Sequence, residues 1–446
     1  MGGSAKTGTR RGILATGARI AAGVAVASAL RAATPGSALA GERLEKRALT
    51  LGFVPLTDCA PLVIAKEKGF FRREGLEVTL SREPSWANIR DKVAVGMLDG
   101  AQMLAGMALA TTAGIGPLYV PMLTACSLDL GGNAITVSQA LWRRMAEADP
   151  EAMAERPLTA RALKHVIAAD KAAGRPKLCF GVVFAVASHA YQLRLWLASA
   201  GIDPDADVRM LVVPPPRMVA ALKDGVLDGY CVGEPWNSQA VHEGLGRVLI
   251  SAHELWNNGP EKVLGVTAAW AAAYPETHRA LVRALIQAAR WLEQPGHRLE
   301  AAAILAPERY VGVPAEVLAR ALTGNMVYAA GEAPRSMPDF VVFHRYAATF
   351  PWRSHAEWTL RQMVRWGQLP AGADVEGIAA AVYRSDLYRL AAQELGEPVP
   401  LLDRKSEGTH EAPWLLAAAT APIPMGPDLF FDGHVFEPDT EPVPAI

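Results

Sequence analysis

From residue 48 onward, short apolar runs alternate with longer stretches whose apolar positions recur every three or four residues. "ALTLGFVPL" is an apolar run interrupted near its end by Pro55, suited to a buried strand, and "APLVIAKEKGFFRREG" follows with helical spacing closed by Gly75. "LEVTLSRE" restores the alternation of apolar and polar residues, and "NIRDKVAVGMLDGAQML" continues the pattern. This grammar predicts a parallel sheet covered by helices. In such sheets ligands gather beyond the carboxyl ends of the strands, so Thr57-Asp58 and Ser85-Trp86, just past predicted strands, are placed to face a site.

The charged helical stretch "RPLTARALKHVIAADKAAGRPK" reads as a connector to a second unit with the same grammar. "LCFGVVFAVASHAYQLRLWLASAGIDPD" gives a strand, a turn and a helix beginning near Ser188 and stopped at Gly201. "VRMLVVPPPRMVAALKDGVLDGYCVGEPWN" adds a strand, a proline turn, a helix and another strand. From about residue 266 the chain becomes largely helical, and it ends in a Pro-rich tail from Pro422 that is expected to be poorly ordered. The fold expected is therefore α/β with two lobes. Lobe 1 spans 48–175 and is completed by a largely helical 256–400, lobe 2 spans 176–255, and the tail spans 420–446. Two such lobes face one another across a cleft, a common way to enclose a small ligand by hinge closure.

Composition narrows the partners. With 446 residues, 51% of them hydrophobic, the chain has ample material for a core. A net charge of -1 gives no broad basic field for nucleic acid, so any bound anion is met by a local site. Cys59, Cys126, Cys179 and Cys231 are widely spaced, without zinc-site spacing, and read as buried free thiols. At the N-terminus, Arg10-Arg11 precedes a mostly apolar stretch to Ala33 and a small-x-small Ala38-Leu39-Ala40, an export signal of twin-arginine character over 1–40. Arg19 and Arg31 make that stretch too polar to span a membrane.

Catalysis is the competing class. Cys231, His189 and Asp228 could be recast as a nucleophilic set, but nothing in the sequence brings thiol and imidazole together, and G-x-S-x-G, H-E-x-x-H and phosphate-binding glycine loops are missing from strand-helix junctions. The reading is that the chain is not an enzyme and carries no cofactor or metal.

The stretches "LTLGFVPLTDCAPLVIAKEKGFF", "SWANIRDK", "GGNAITVS", "ASHAYQLRLWLASAGIDPD", "VVPPPRMVAALKDGVLDGYCVGEPWN", "PEKVLGV" and "FPWRSHAEWTLRQMVRWGQLP" carry a resemblance. In this order, from Leu49 to about Val399, the chain resembles the nitrate-binding protein family of bacterial ABC transporters, which includes a bicarbonate-binding paralogue and a cytoplasmic nitrate sensor. The resemblance implies the two-lobed periplasmic-binding-protein type II fold. It also implies an anion site at Trp86, Asn133, His189, Gly233 and Lys262. In that site Lys262 supplies the charge and His189 and Asn133 donate hydrogen bonds. Gly233 lets backbone approach the ligand, and Trp86 closes the pocket. Taken singly each has a plainer reading: a tryptophan in a core, a solvated lysine, a helix-initial cap, a turn glycine.

Lys262 stands where bicarbonate binders of this kind have an acidic residue that helps hold calcium, so the resemblance points to nitrate or nitrite. Gln102 and Gly106 depart from the His and Pro common in relatives, which puts local pocket shape in doubt. The implied role is a monomeric periplasmic receptor serving a membrane permease and its ATPase. The alternative is a cytoplasmic sensor of nitrate or nitrite that controls an RNA-binding antiterminator partner; the export signal favours the receptor. Similarity to an enzyme of pyrimidine-precursor synthesis on the same fold is weaker.

Overall fold

The computed structural model describes Met1 and residues 44–438. Met1 apart, the expected leader over 1–40 lies outside the described residues, as does the end of the tail from residue 439.

Two five-stranded sheets organise the chain. It lays down β1 (Ala48–Phe53), β2 (Glu77–Arg82), β3 (Gly100–Leu104) and β4 (Met122–Leu123) in the first sheet, then crosses to the second. There it forms β5 (Asn133–Ser138), β6 (Cys179–Val182), β7 (Arg209–Val212), β8 (Gly229–Gly233) and β9 (Gly246–Ser251) before returning to the first sheet with β10 (Lys262–Thr267). The strand orders are β2-β1-β3-β10-β4 and β9-β5-β8-β6-β7.

The expected parallel sheets are mixed. β1 runs parallel to β2 and β3, and β6 to β7 and β8, whereas β10 is antiparallel to β3 and β4, and β5 to β8 and β9. The reversed strands are the two that begin directly after a crossing. A helical return over the same sheet restores strand direction, but a strand arriving from the other sheet enters from the opposite end.

The same crossing moves the lobe boundary. Lobe 2 begins at Asn133 rather than near 176, because β5 pairs with β8 and β9. The expected connector is a packed helix, Arg161–Ala172. Its Leu163 and Val166 join Leu141 and Met145 in the core beneath the second sheet; Arg161, Lys164 and Lys171 face outward, and the buried Asp170 is held by Arg144 and Arg175.

Sequence punctuation sets the helix starts. Ser85 caps Trp86–Ala94, its hydroxyl accepting from Asn88 N, and Pro61 falls in the first turn of Ala60–Glu67. The 18-residue helix Pro275–Leu292 packs on Ala60–Glu67, and Arg353–Arg365 packs on Ala105–Thr112, so the late helices complete the first lobe.

The tail is not loose as far as residue 438. Trp414–Leu416 pairs antiparallel with Ile423–Met425. Beyond that hairpin, Phe430 stacks on Trp256 with ring centroids 4.4 Å apart, and Phe436 is buried. Proline content masked two aromatic anchors whose burial outweighs the cost of ordering the segment.

Candidate functional site

Both crossings deliver polar residues into one buried cluster. The first brings Asp129 and, at the start of β5, Asn133; the second brings Glu261 and, at the start of β10, Lys262. Asp58 follows β1, Trp86 opens its helix, His189 lies in the first turn of Ser188–Ser199, and Gly233 ends β8 directly opposite Asn133. Strand ends and helix starts meet here because the apolar interiors of both elements leave only their termini free to present polar groups.

Lys262 is fully buried. Its Nζ lies 2.8 Å from Asp58 Oδ2, bonds Glu261 Oε2, and sits 5.6 Å from the centroid of the Trp86 ring. Glu261 Oε1 accepts from Asn133 Nδ2 at 2.5 Å and from the Ser188 hydroxyl. Asp129 Oδ1 accepts from Lys262 N at 2.9 Å. A Cβ added at Gly233 would stand 3.3 Å from Asn133 Oδ1 and Asp58 Oδ2, so glycine leaves room where the two lobes approach.

All five residues named from the sequence are therefore brought together in one place. Several polar atoms of the cluster lack partners: both ring nitrogens of His189, Trp86 Nε1, Asn133 Oδ1 and Asp129 Oδ2 are buried without a hydrogen bond. An unpaired buried polar group costs about 1–3 kcal/mol, and two of these residues can donate, which matches a ligand rich in acceptor oxygens.

Sequence reasoning placed Asp58 towards the site but gave no part to Asp129, Glu261 or Ser188. Glu261 could have been found as the neighbour of Lys262 in "PEK"; Asp129 left no local signal. The departures from the family pattern now have structural roles. Gln102 Nε2 donates to Asp58 Oδ1 while its Oε1 accepts from Val54 N at 2.9 Å, so it ties the carboxylate to the end of β1. At Gly106 an added Cβ would stand 1.9 Å from the Val186 carbonyl oxygen, so glycine lets the two lobes' backbones touch beside the site.

The electrostatics are set by three buried carboxylates around one ammonium. Burial alone would lower the Lys262 pKa, but Asp58, Glu261 and Asp129 outweigh it and raise it, so the lysine stays charged. Burial pushes Asp58 and Glu261 up against the pull of Lys262. Asp129 is raised well above the usual carboxylate range by burial and then by the charge of Asp58, which makes it the group that keeps a proton. Burial, then the Lys262 charge, drives His189 well below its ordinary value, leaving it neutral with one N–H to donate.

The nucleophilic set does not form. Cys231 lies within β8 with its Sγ 3.8 Å from Gln192 Oε1, and burial holds the thiol well above its ordinary pKa. Asp228 Oδ2 accepts from Cys179 N at 2.8 Å, and neither His189 nitrogen meets a partner. All four cysteines are buried and free.

The NMT1-like family model matches residues 42–306. The chain is 40% identical over 404 residues to the nitrate import ATP-binding protein NrtC of Synechocystis sp., a match covering 90% of this chain and 55% of that one. It thus spans about half the length of that relative. With the nitrate/nitrite binding protein NrtA of Synechococcus elongatus it shares 34% identity over 416 residues, covering 91% of this chain and 87% of the relative. The crystal structure of the periplasmic nitrate-binding protein NrtA from Synechocystis PCC 6803 superposes with a TM-score of 0.78 at 30% identity, covering 89% of this chain and 97% of that chain.

Proposed function

We propose a function from one premise: the chain belongs to the NMT1-like family and is homologous to the nitrate/nitrite-binding proteins of ABC transporters. It captures nitrate or nitrite between its two lobes and delivers the anion to a membrane permease and its ATPase. The observation that carries this reading is the convergence of buried, charged Lys262 with the unpartnered donors of His189 and Trp86 beside Gly233. A planar monoanion wants donors around its edge, one positive charge and an aromatic wall. Lys262 and His189 supply donors at the edge and Trp86 supplies the wall, while Asn133, whose amide hydrogens go to Glu261 and Gln192, fixes Glu261 beside them.

Lys262, His189 and Asn133 are each 0% exposed, so entry requires the lobes to part about the two crossings. In the same reading residues 1–40 direct export by the twin-arginine route, and the protein acts in the periplasm as a monomer without catalytic activity. NrtC is named for nitrate import and NrtA for nitrate/nitrite binding, which favours the receptor over the cytoplasmic sensor.

Titration calorimetry with nitrate, nitrite and bicarbonate, with and without calcium, tests the ligand. Micromolar or tighter affinity for nitrate or nitrite is expected, about -8 kcal/mol or stronger. Heat only with bicarbonate and calcium would overturn the assignment. Cell fractionation tests the location, and full-length protein confined to the cytoplasm would defeat the export reading.

A further inference from the structure

Apart from the Lys262 cluster, a cavity of about 240 Å³ opens between the helices Ser188–Ser199 and Arg353–Arg365 and the C-terminal segment. Its wall is aromatic: Trp256 stacks on Phe430 at 4.4 Å and tilts against Trp358 at 4.8 Å, with Phe436 beside them. At ~30 Å³ for each water-sized group, the space admits about eight such groups.

Arg361 and Arg365 line the same cavity one helical turn apart. Like charges at this spacing repel, and arginines elsewhere in the chain, such as Arg283 and Arg345, are held by carboxylates. Neither Arg361 nor Arg365 makes an ion pair among the described residues, although Asp432 lines the cavity and its charge acts on Arg365. At the same wall Trp256 Nε1, Gln362 Oε1 and Arg365 Nε are buried without hydrogen-bond partners, with Trp256 6% and Gln362 7% exposed. Gln192 separates this space from the Lys262 cluster, lining the cavity while its Oε1 accepts from Asn133 Nδ2 at 3.2 Å.

We propose that this cavity is a second ligand site, for a small organic monoanion with an aromatic or apolar body, whose carboxylate is met by Arg361 and Arg365 and whose body stacks against Trp256 and Phe430. Guanidinium forks suit a carboxylate's two oxygens, and the aromatic wall rewards an apolar body that an inorganic anion lacks. Two unpaired arginines exclude a cation. The inference is independent of the assignment of the Lys262 cluster.

Phenylacetate is the probe, and its neutral analogue phenylacetamide the control, titrated calorimetrically into the full chain. Saturable phenylacetate binding is expected, with phenylacetamide at least tenfold weaker and phenylacetate undiminished by excess nitrate. The double variant Arg361→Gln/Arg365→Gln, checked by circular dichroism for an unchanged fold, should lose at least tenfold in phenylacetate affinity. Equal binding of the two compounds, binding of neither, full affinity in the double variant, or displacement by nitrate to the Lys262 cluster would each overturn the proposal.

Discussion

Replacing Glu234 with glutamine should make the protein more stable at alkaline pH and leave it unchanged in acid. Glu234 follows Gly233 at the end of β8 and is 0% exposed. Its Oε2 accepts from Ser238 N at 3.1 Å, while Oε1 has no partner. Burial outweighs the opposing contacts of Ser238 and Asn237 and the charge of Arg320, and raises its pKa from 4.5 to about 7. A carboxyl whose folded pKa is raised binds its proton more tightly when folded. Its stabilising contribution is therefore complete below about pH 4.5 and is lost as pH rises through 7. That displacement is equivalent to about 3 kcal/mol. Glutamine keeps an acceptor for Ser238 N and never ionises, so Glu234→Gln should gain about 3 kcal/mol over the parent at pH 8 and differ by less than about 0.5 kcal/mol at pH 4. Urea unfolding midpoints of both proteins at intervals from pH 4 to 8 read the difference directly. Asp58, Asp129 and Glu261 also titrate from raised values, but they are common to both chains and cancel. A difference that stays flat across this range would refute the placement of an unpaired, buried carboxyl at Glu234.

The remaining expectations are more local. Lys262→Ala leaves Asp58 and Glu261 without their counter-charge, so it should cost about 3–5 kcal/mol in stability and weaken nitrate binding by about 2 kcal/mol or more in calorimetry; unchanged affinity would remove the lysine from the site. Gly233→Ala puts a methyl 3.3 Å from Asn133 Oδ1, Asp58 Oδ2 and Leu56 Cδ2. It should reduce nitrate affinity about tenfold or more, about 1.4 kcal/mol, with urea midpoints moved only slightly. Because Asp58 and Glu261, both with raised pKa values, already flank Lys262, adding a monoanion should draw in a proton, seen as nitrate affinity that strengthens as pH falls and as buffer-dependent heats in calorimetry. Glu407 accepts from the Ser354 hydroxyl at 2.7 Å, and Lys405 and His355 overcome its burial to lower its pKa from 4.5 to about 2. Its stabilisation is complete above pH 4.5 and lost as pH falls through 2, so Glu407→Gln should cost about 3 kcal/mol at pH 7 and progressively less in acid.

Local pattern carried much of the architecture. The apolar run at Ala48–Phe53, the capping Ser85 and the stop at Gly201 are decided by residues within a turn of one another, so β1, the helix Trp86–Ala94 and the end of Ser188–Ser199 could be read directly. The residues Trp86, Asn133, His189, Gly233 and Lys262 were named through motif resemblance, and the fold gathers them into one cluster although each alone reads equally well as core, cap or turn.

What the sequence determined by itself was the alternation of strand and helix, the glycines where backbone must come close, and, through resemblance, the five residues that the fold brings together. Tertiary structure decided the rest. It reversed β5 and β10, because a strand's direction depends on which sheet the chain arrives from. It assigned residues 133–175 to the second lobe and anchored the C-terminal segment through Phe430 and Phe436. It also brought Asp58, Asp129 and Glu261 around Lys262 from three separate segments. Hydrophobic periodicity records which face a residue presents within its own element; the charge it meets on another element, far away in sequence, is set only when the two crossings close.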